Sequence, residues 1–198
     1  MGRVVVASLN RAKAREIAEI LAAEGLGLEV VALADFPDVA LPPETGESFA
    51  ANALLKARAA AQGTGLPAIA DDSGLEVDAL GGEPGVMSAR YAGEGAGDAD
   101  RYRKVLALLA DVPDARRTAR FRCAAAFVSP EGVELLAEGT CEGRLAREPT
   151  GAGGFGYDPI FVPEDYTVTM AQLTPEQKHA ISHRGRAFRA LAQELCKQ

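Results

Sequence analysis

The sequence predicts a mixed α/β chain organised as one large domain or two small lobes. Three observations carry this. Residues 3–9 form a continuous apolar run, of the kind a strand buried on both faces shows. Helical spacing follows at once, with Ala14, Ile17 and Leu21 on one face of residues 11–24. Further on, residues 118–128 and 133–142 flank Ser129-Pro130-Glu131-Gly132 as a hairpin long enough for a lobe of its own. At 198 residues the chain can bury a substantial core, and 47% hydrophobic with 25% charged residues is ordinary for a globular protein.

The elements follow in order. Ser8-Leu9-Asn10-Arg11-Ala12-Lys13 is a tight strand-to-helix turn, and Gly25 stops the helix behind it. The turn reads either as N-capping by Asn10 or as an anion site, in which Ser8, Asn10 and the helix N–H groups are joined by the charge of Lys13. Residues 28–33 form a second strand, and residues 35–47 a Pro-rich connection. Ser48 caps an Ala-rich helix over 49–62, which Gly63 terminates. Asn52 and Lys56 lie one turn apart on it and read as surface residues unless that face lines a cleft.

The next stretch, residues 68–90, organises the chain. Ala68-Ile69-Ala70 reads as the end of a buried strand, and Asp71-Asp72-Ser73-Gly74 as a turn. Strand neighbours point to opposite faces, so at most one Asp is expected behind the strand while the other projects into a cleft. The acid pair suits either a turn without chemistry or a divalent cation and a water-activating base. A helix over 98–109 carries Tyr102, Val105, Leu106 and Leu109 inward. Gly151-Ala152-Gly153-Gly154-Phe155-Gly156-Tyr157-Asp158-Pro159 is a Gly-rich loop holding two aromatics and an acid. Glycine lets backbone approach a ligand, and a ring can stack on a base; turn punctuation is the other reading. Thr174-Pro175-Glu176-Gln177 starts a helix with Lys178 on its first turn. Ser182-His183-Arg184-Gly185 precedes a last helix over 186–195, with Phe188, Leu191 and Leu195 inward.

Composition excludes several classes. The net charge of −7 argues against a nucleic-acid-coating role, which needs a basic surface. Cys123, Cys141 and Cys196 are odd in number and lack metal-ligand spacing, as expected of reduced thiols in a cytoplasmic protein. No apolar run approaches membrane-spanning length, and the start of the chain lacks a signal peptide's pattern.

Taken together, the motifs resemble those of the inosine/xanthosine triphosphate pyrophosphatases, the family acting on noncanonical purine nucleoside triphosphates. The matching residues are Ser8-x-Asn10-x-x-Lys13, Glu44-Thr45-Gly46-x-Ser48-Phe49-x-x-Asn52-Ala53, the stretch 70–82, Ser88-Ala89-Arg90-Tyr91, the stretch 153–161, and Lys178-x-x-Ile181-Ser182-His183-Arg184-Gly185. The resemblance runs nearly end to end. It implies a long mixed β-sheet flanked by helices, in two lobes of a single domain with a central substrate cleft, and a homodimer. It implies hydrolysis of inosine, deoxyinosine or xanthosine triphosphate to the monophosphate and pyrophosphate with Mg2+. By position, Asp72 is then the proton acceptor and a metal ligand. Ser8, Leu9, Asn10, Arg11, Ala12 and Lys13 hold phosphates. Ser73, Phe155, Gly156, Tyr157, Asp158, Lys178, His183 and Arg184 bind substrate. One departure stands out: relatives often carry a metal-binding acid where this chain has Pro43, and the adjacent Glu44 is the candidate metal ligand in its place, with a side chain that would point in a different direction.

The assignment is coherent physically. An acidic protein needs Lys13, a helix N-terminus and a metal to receive a triphosphate. Asp72 can deprotonate a water for in-line attack on the α-phosphorus, so no covalent nucleophile is required and no cysteine falls among the motifs. Two rivals are a non-catalytic nucleotide-binding module, which has no use for the acid pair, and a pyrophosphatase for modified pyrimidine nucleotides, which the Ser-His-Arg-Gly block disfavours.

Overall fold

The computed structural model describes residues 2–197. In chain order the main elements are β1 (Arg3–Val6), α1 (Arg11–Ala23), β2 (Glu29–Ala32), α2 (Phe49–Thr64), β3 (Ala68–Val77), α3 (Asp98–Leu108), β4 (Thr118–Val128), β5 (Glu134–Leu145), β6 (Phe161–Pro163), α4 (Pro175–Ile181) and α5 (His183–Leu195). The strands form one mixed sheet in the order β2-β1-β3-β4-β5-β6. β1 pairs in parallel with β2 and β3, and β5 pairs antiparallel with β6. Among the described residues, no helix is long and apolar enough to cross a membrane.

The chain divides into two units. The first takes the chain up to Asp72, Cys123–Gly139 and the chain from His183; the second takes Ser73–Arg122 and Thr140–Ser182. The core of the first brings Val4, Val6 and Ile69 of the sheet against Ile17, Ile20 and Leu21 of α1 and Phe188 and Leu191 of α5. Helix α2 contributes Ala53, Ala57 and Ala60, all fully buried, small residues that let it lie close to its neighbours. The core of the second unit gathers Leu75, Val77, Val105, Leu109, Phe121, Tyr157 and Phe161. There Arg117 is almost fully buried, and its guanidinium donates to the carbonyls of Leu109, Leu145 and Ala146 at 2.8–3.1 Å. One buried cation thus satisfies three carbonyls that would otherwise lose hydrogen bonds to water.

Local sequence signals explain most boundaries. Asn10 caps α1, Ser48 caps α2, and Thr174 with Gln177 forms a reciprocal capping box on α4. Three expectations are corrected. Helix α2 runs through Gly63, because that glycine makes room for Val39, whose Cγ1 would lie 2.8 Å from any Cβ there. The stop is Gly65, at φ 67°. Helix α5 starts at His183, three residues before the expected start, with Gly185 inside its first turn. The expected turn at Asp71-Asp72-Ser73-Gly74 does not form: β3 continues unbroken to Val77. Turn propensity is overridden there because both carboxylates find partners on buried faces of an extended strand.

Candidate active site

Asp71 and Asp72 are both buried, at 1% and 4% exposure, so the expectation that at most one of them is buried is corrected. Alternation along β3 sends them to opposite sides, and in the first unit helices cover both. Asp71 meets α1 and α5. Its Oδ2 accepts from Arg184 Nε and Nη2 at 3.2 and 3.0 Å and lies 3.5 Å from Lys13 Nζ. Asp72 meets α2, where its Oδ2 accepts from Asn52 Nδ2 at 2.8 Å.

The two acids have opposite electrostatics. Burial pushes the Asp71 carboxyl up, but Lys13, Arg184 and Lys56 overcome it and hold the group far below the usual carboxylate range. For Asp72, burial is the largest influence and raises the pKa; Glu44 adds to the rise, while Lys56, Lys13 and the Asn52 hydrogen bond oppose it. Asp71 is therefore a fixed anion, and Asp72 is the carboxylate drawn toward the range where proton transfer is useful.

Glu44 is half-buried, and its Oε1 lies 2.5 Å from Lys56 Nζ. Burial lowers the Lys56 pKa, but Asp71, Glu44 and Asp72 outweigh it, so the ammonium is held charged. Asn52 and Lys56 are thus not surface residues: they are 0% and 7% exposed and sit among the acids. A signal for this was present, since the buried stripe of α2, Phe49, Asn52, Ala53, Lys56, Ala57, Ala60 and Ala61, keeps helical spacing straight through both polar positions. Glu16 was also missed; it is buried on α1 and pairs with Arg184 Nη1. Buried Cys123 has its Sγ 3.9 Å from Asp71 Oδ2, so one cysteine does stand beside a motif. Burial, with Asp71 adding to it, pushes that thiol far above its usual range and leaves it inert.

The 8–13 turn is largely exposed, with Leu9 at 78%. Asn10 Oδ1 accepts from the N–H of Ala12 and Lys13 at 3.0 and 3.2 Å, and Ser8 Oγ accepts from Asn10 N at 3.2 Å. The capping reading is therefore realised, and Lys13 supplies the turn's charge. Arg184 is 1% exposed with its guanidinium against Asp71 and Glu16, and His183 is buried at the start of α5.

The remaining expected residues lie in the second unit. Lys178 Nζ is 2.8 Å from Asp158 Oδ2 and 4.7 Å from the Phe155 ring centroid. The same Asp158 oxygen accepts from Phe155 N at 2.9 Å, which folds the Gly-rich loop onto its acid. Gly154, at φ 70°, is required: a Cβ would lie 2.0 Å from Asp158 Oδ2. Gly156 N donates to Asp98 Oδ2 at 2.7 Å, and the buried Tyr157 hydroxyl donates to Ser88 O at 2.9 Å. Ser73 follows Asp72 on β3, half-buried.

Among the described residues, no three or more His, Cys, Asp or Glu gather to hold a metal. The donor set nevertheless fits one class of cation. Glu44 and Asp72 are two carboxylates close enough for one to shift the other's pKa, and Mg2+ takes one or two protein carboxylates with substrate phosphates and water.

An α/β protein whose strand carries one locked and one raised carboxylate, with buried Lys56 and half-buried Lys13 acting on both, is equipped for proton transfer at an anionic substrate. The chain belongs to the Ham1 family, whose model matches residues 4–194. It is 56% identical to a dITP/XTP pyrophosphatase of Frankia alni over 96% of this chain and 95% of that one, and 51% identical to a dITP/XTP pyrophosphatase of Streptomyces coelicolor over 96% of each. Among solved structures it resembles a HAM1 protein from Coxiella burnetii, with a TM-score of 0.89 at 44% identity over the whole of both chains. It also resembles a nucleoside-triphosphatase, dITP/XTP pyrophosphatase, from Mycobacterium abscessus, with a TM-score of 0.76 at 51% identity over 96% of this chain and 98% of that one.

Proposed function

We propose that the protein hydrolyses noncanonical purine nucleoside triphosphates, dITP and XTP among them, to the monophosphate and pyrophosphate. The observation that carries this is Asp72, a buried carboxylate raised in pKa beside two lysines, in a chain about half identical to dITP/XTP pyrophosphatases. In the reaction, a water oxygen bonds to the α-phosphorus as the bond from that phosphorus to the bridging oxygen breaks. Asp72 takes the water proton, and pyrophosphate leaves with the bridging oxygen. Lys13 and Lys56 offset the charge gathering on the phosphate oxygens. The 8–13 turn receives the phosphates, and Asp71, kept ionised, holds Lys13 toward them.

Glu44 and Asp72 are the residues that would hold Mg2+. When bound, the ion neutralises phosphate charge and lowers the pKa of its water. The base falls to Lys178, with Phe155 for stacking and Ser73, Gly156, Tyr157 and Asp158 framing the loop; His183 and Arg184 complete the expected binding set. Hypoxanthine and xanthine carry an acceptor oxygen at C6, which suits the Lys178 ammonium, whereas adenine presents an amino donor there. No nucleic acid or membrane partner is needed, the cytoplasm is the expected location, and the family resemblance supports a homodimer, to be checked by sedimentation at micromolar concentration.

The deciding experiment incubates the protein with Mg2+ and a panel of purine and modified pyrimidine triphosphates. Pyrophosphate released from inosine and xanthosine triphosphates, with ATP and GTP spared, is the expected result. Orthophosphate as the first product, or a preference for pyrimidines, would refute the reading.

A further inference from the structure

We infer that Asn52 is a positioning residue for the hydrolysis, joining the Asp72 carboxylate to the backbone of the segment that carries Glu44. The inference rests on the reading of Asp72 as proton acceptor. Asn52 is 0% exposed, and both ends of its amide are used. Oδ1 accepts from Gly46 N at 2.7 Å, and Nδ2 donates to Asp72 Oδ2 at 2.8 Å. The orientation of the amide follows from its partners, because a backbone N–H only donates and an ionised carboxylate only accepts.

Two further observations converge on this link. Gly46 approaches so closely that a Cβ would lie 2.6 Å from Asn52 Oδ1 and 2.9 Å from Ala51 Cβ, so a side chain there would push the segment off α2. One turn along the same helix, Lys56 binds Glu44, two residues before Gly46. Helix α2 therefore grips the segment at its side chain and at its backbone, and the backbone grip ends on Asp72. A residue needed only to cap the segment would have no reason to spend its donor on that acid. Through this link the rotation of the Asp72 carboxyl group and the distance of Glu44 from it are set together.

The test is a cycle on the full chain with inosine triphosphate and Mg2+. In the wild-type background, Asn52→Ala lowers kcat by about 10–100-fold, the usual scale for a residue that orients a reacting group, and leaves KM nearly unchanged. In the Asp72→Asn background, the same change lowers the residual kcat by less than about twofold, because the group it orients is gone. Gly46→Ala, carried through the same cycle, gives the same pattern from the other end of the link and serves should Asn52→Ala not fold. An equal loss in both backgrounds, or a rise in KM alone, overturns the inference while leaving the role of Asp72 standing. Asp72→Asn turning over at the wild-type rate overturns both.

Discussion

Replacing Arg184 by Met tests how the buried charges are balanced. The change keeps much of the side-chain volume and removes the cation between Asp71, 1% exposed, and Glu16, 6% exposed. Breaking a buried pair by removing one partner costs about 3–5 kcal/mol, because the charge left behind is neither hydrated nor paired. Here two carboxylates are left. Asp71 keeps Lys13 at 3.5 Å, and the charge of Lys56 also acts on it, whereas Glu16 loses the guanidinium it is paired with. The lower end, about 3 kcal/mol, is therefore expected. For a chain of this size each kcal/mol moves Tm by about 2–4 °C, so Arg184→Met should melt roughly 6–12 °C lower by far-ultraviolet circular dichroism, with urea unfolding giving a lower midpoint at an unchanged slope. Glu16→Gln in that background should restore part of the loss, since it removes one of the two carboxylates that the guanidinium balances. A Tm within about 2 °C of wild type, or no recovery with Glu16→Gln, would refute the idea that Arg184 balances these acids in the folded chain.

Three further outcomes are expected. Asp72→Asn is nearly isosteric and should fold, yet lose at least about 100-fold in kcat, since an amide accepts no proton; steady-state assay with a melting control checks this. Lys178→Ala should narrow the kcat/KM preference for inosine triphosphate over ATP by about tenfold, the worth of one donor facing the wrong group in a dry pocket; equal losses on all nucleotides would make Lys178 a phosphate contact instead. Tyr91, its pKa raised to about 12 by burial and by donating to Glu83, should ionise late in an alkaline titration followed by phenolate absorbance, ahead only of Tyr157, whose burial pushes its hydroxyl higher still, and Tyr91→Phe should delete the step near 12. Its unfolded pKa is about 10, so the unfolded chain loses this proton first, and the stability it contributes below that pH is lost as pH rises toward 12.

Much of the fold was legible because it is written locally. The caps at Asn10, Ser48 and Thr174 and the span of β4 depend on neighbours within a few residues, and they stand where the sequence puts them. What was not legible depends on partners far along the chain. The acid pair looks like a turn until Arg184, 113 residues on, neutralises Asp71. Gly63 looks like a helix stop until Val39 occupies the space its missing side chain leaves. Asn52 and Lys56 look solvated until Gly46, Glu44 and Asp72 are brought against them. In each case local propensity and tertiary contact conflict, and burial of a charge or a close approach decides the outcome.

The arrangement also explains why two adjacent acids can do different work. Neighbours in a helix would lie about 100° apart and share much of one environment, whereas on a strand they face opposite layers. β3 uses that separation. One layer supplies Lys13 and Arg184, which fix Asp71 as an anion. The other supplies the Asn52 amide and the Glu44–Lys56 pair, and a second carboxylate near Asp72 works against its ionisation. Were β3 to turn at Ser73, as local propensity suggests, both acids would reach solvent and neither shift would survive its screening. Continuing the strand to Val77 is therefore what lets one dipeptide hold a permanent charge on one side and a proton acceptor on the other.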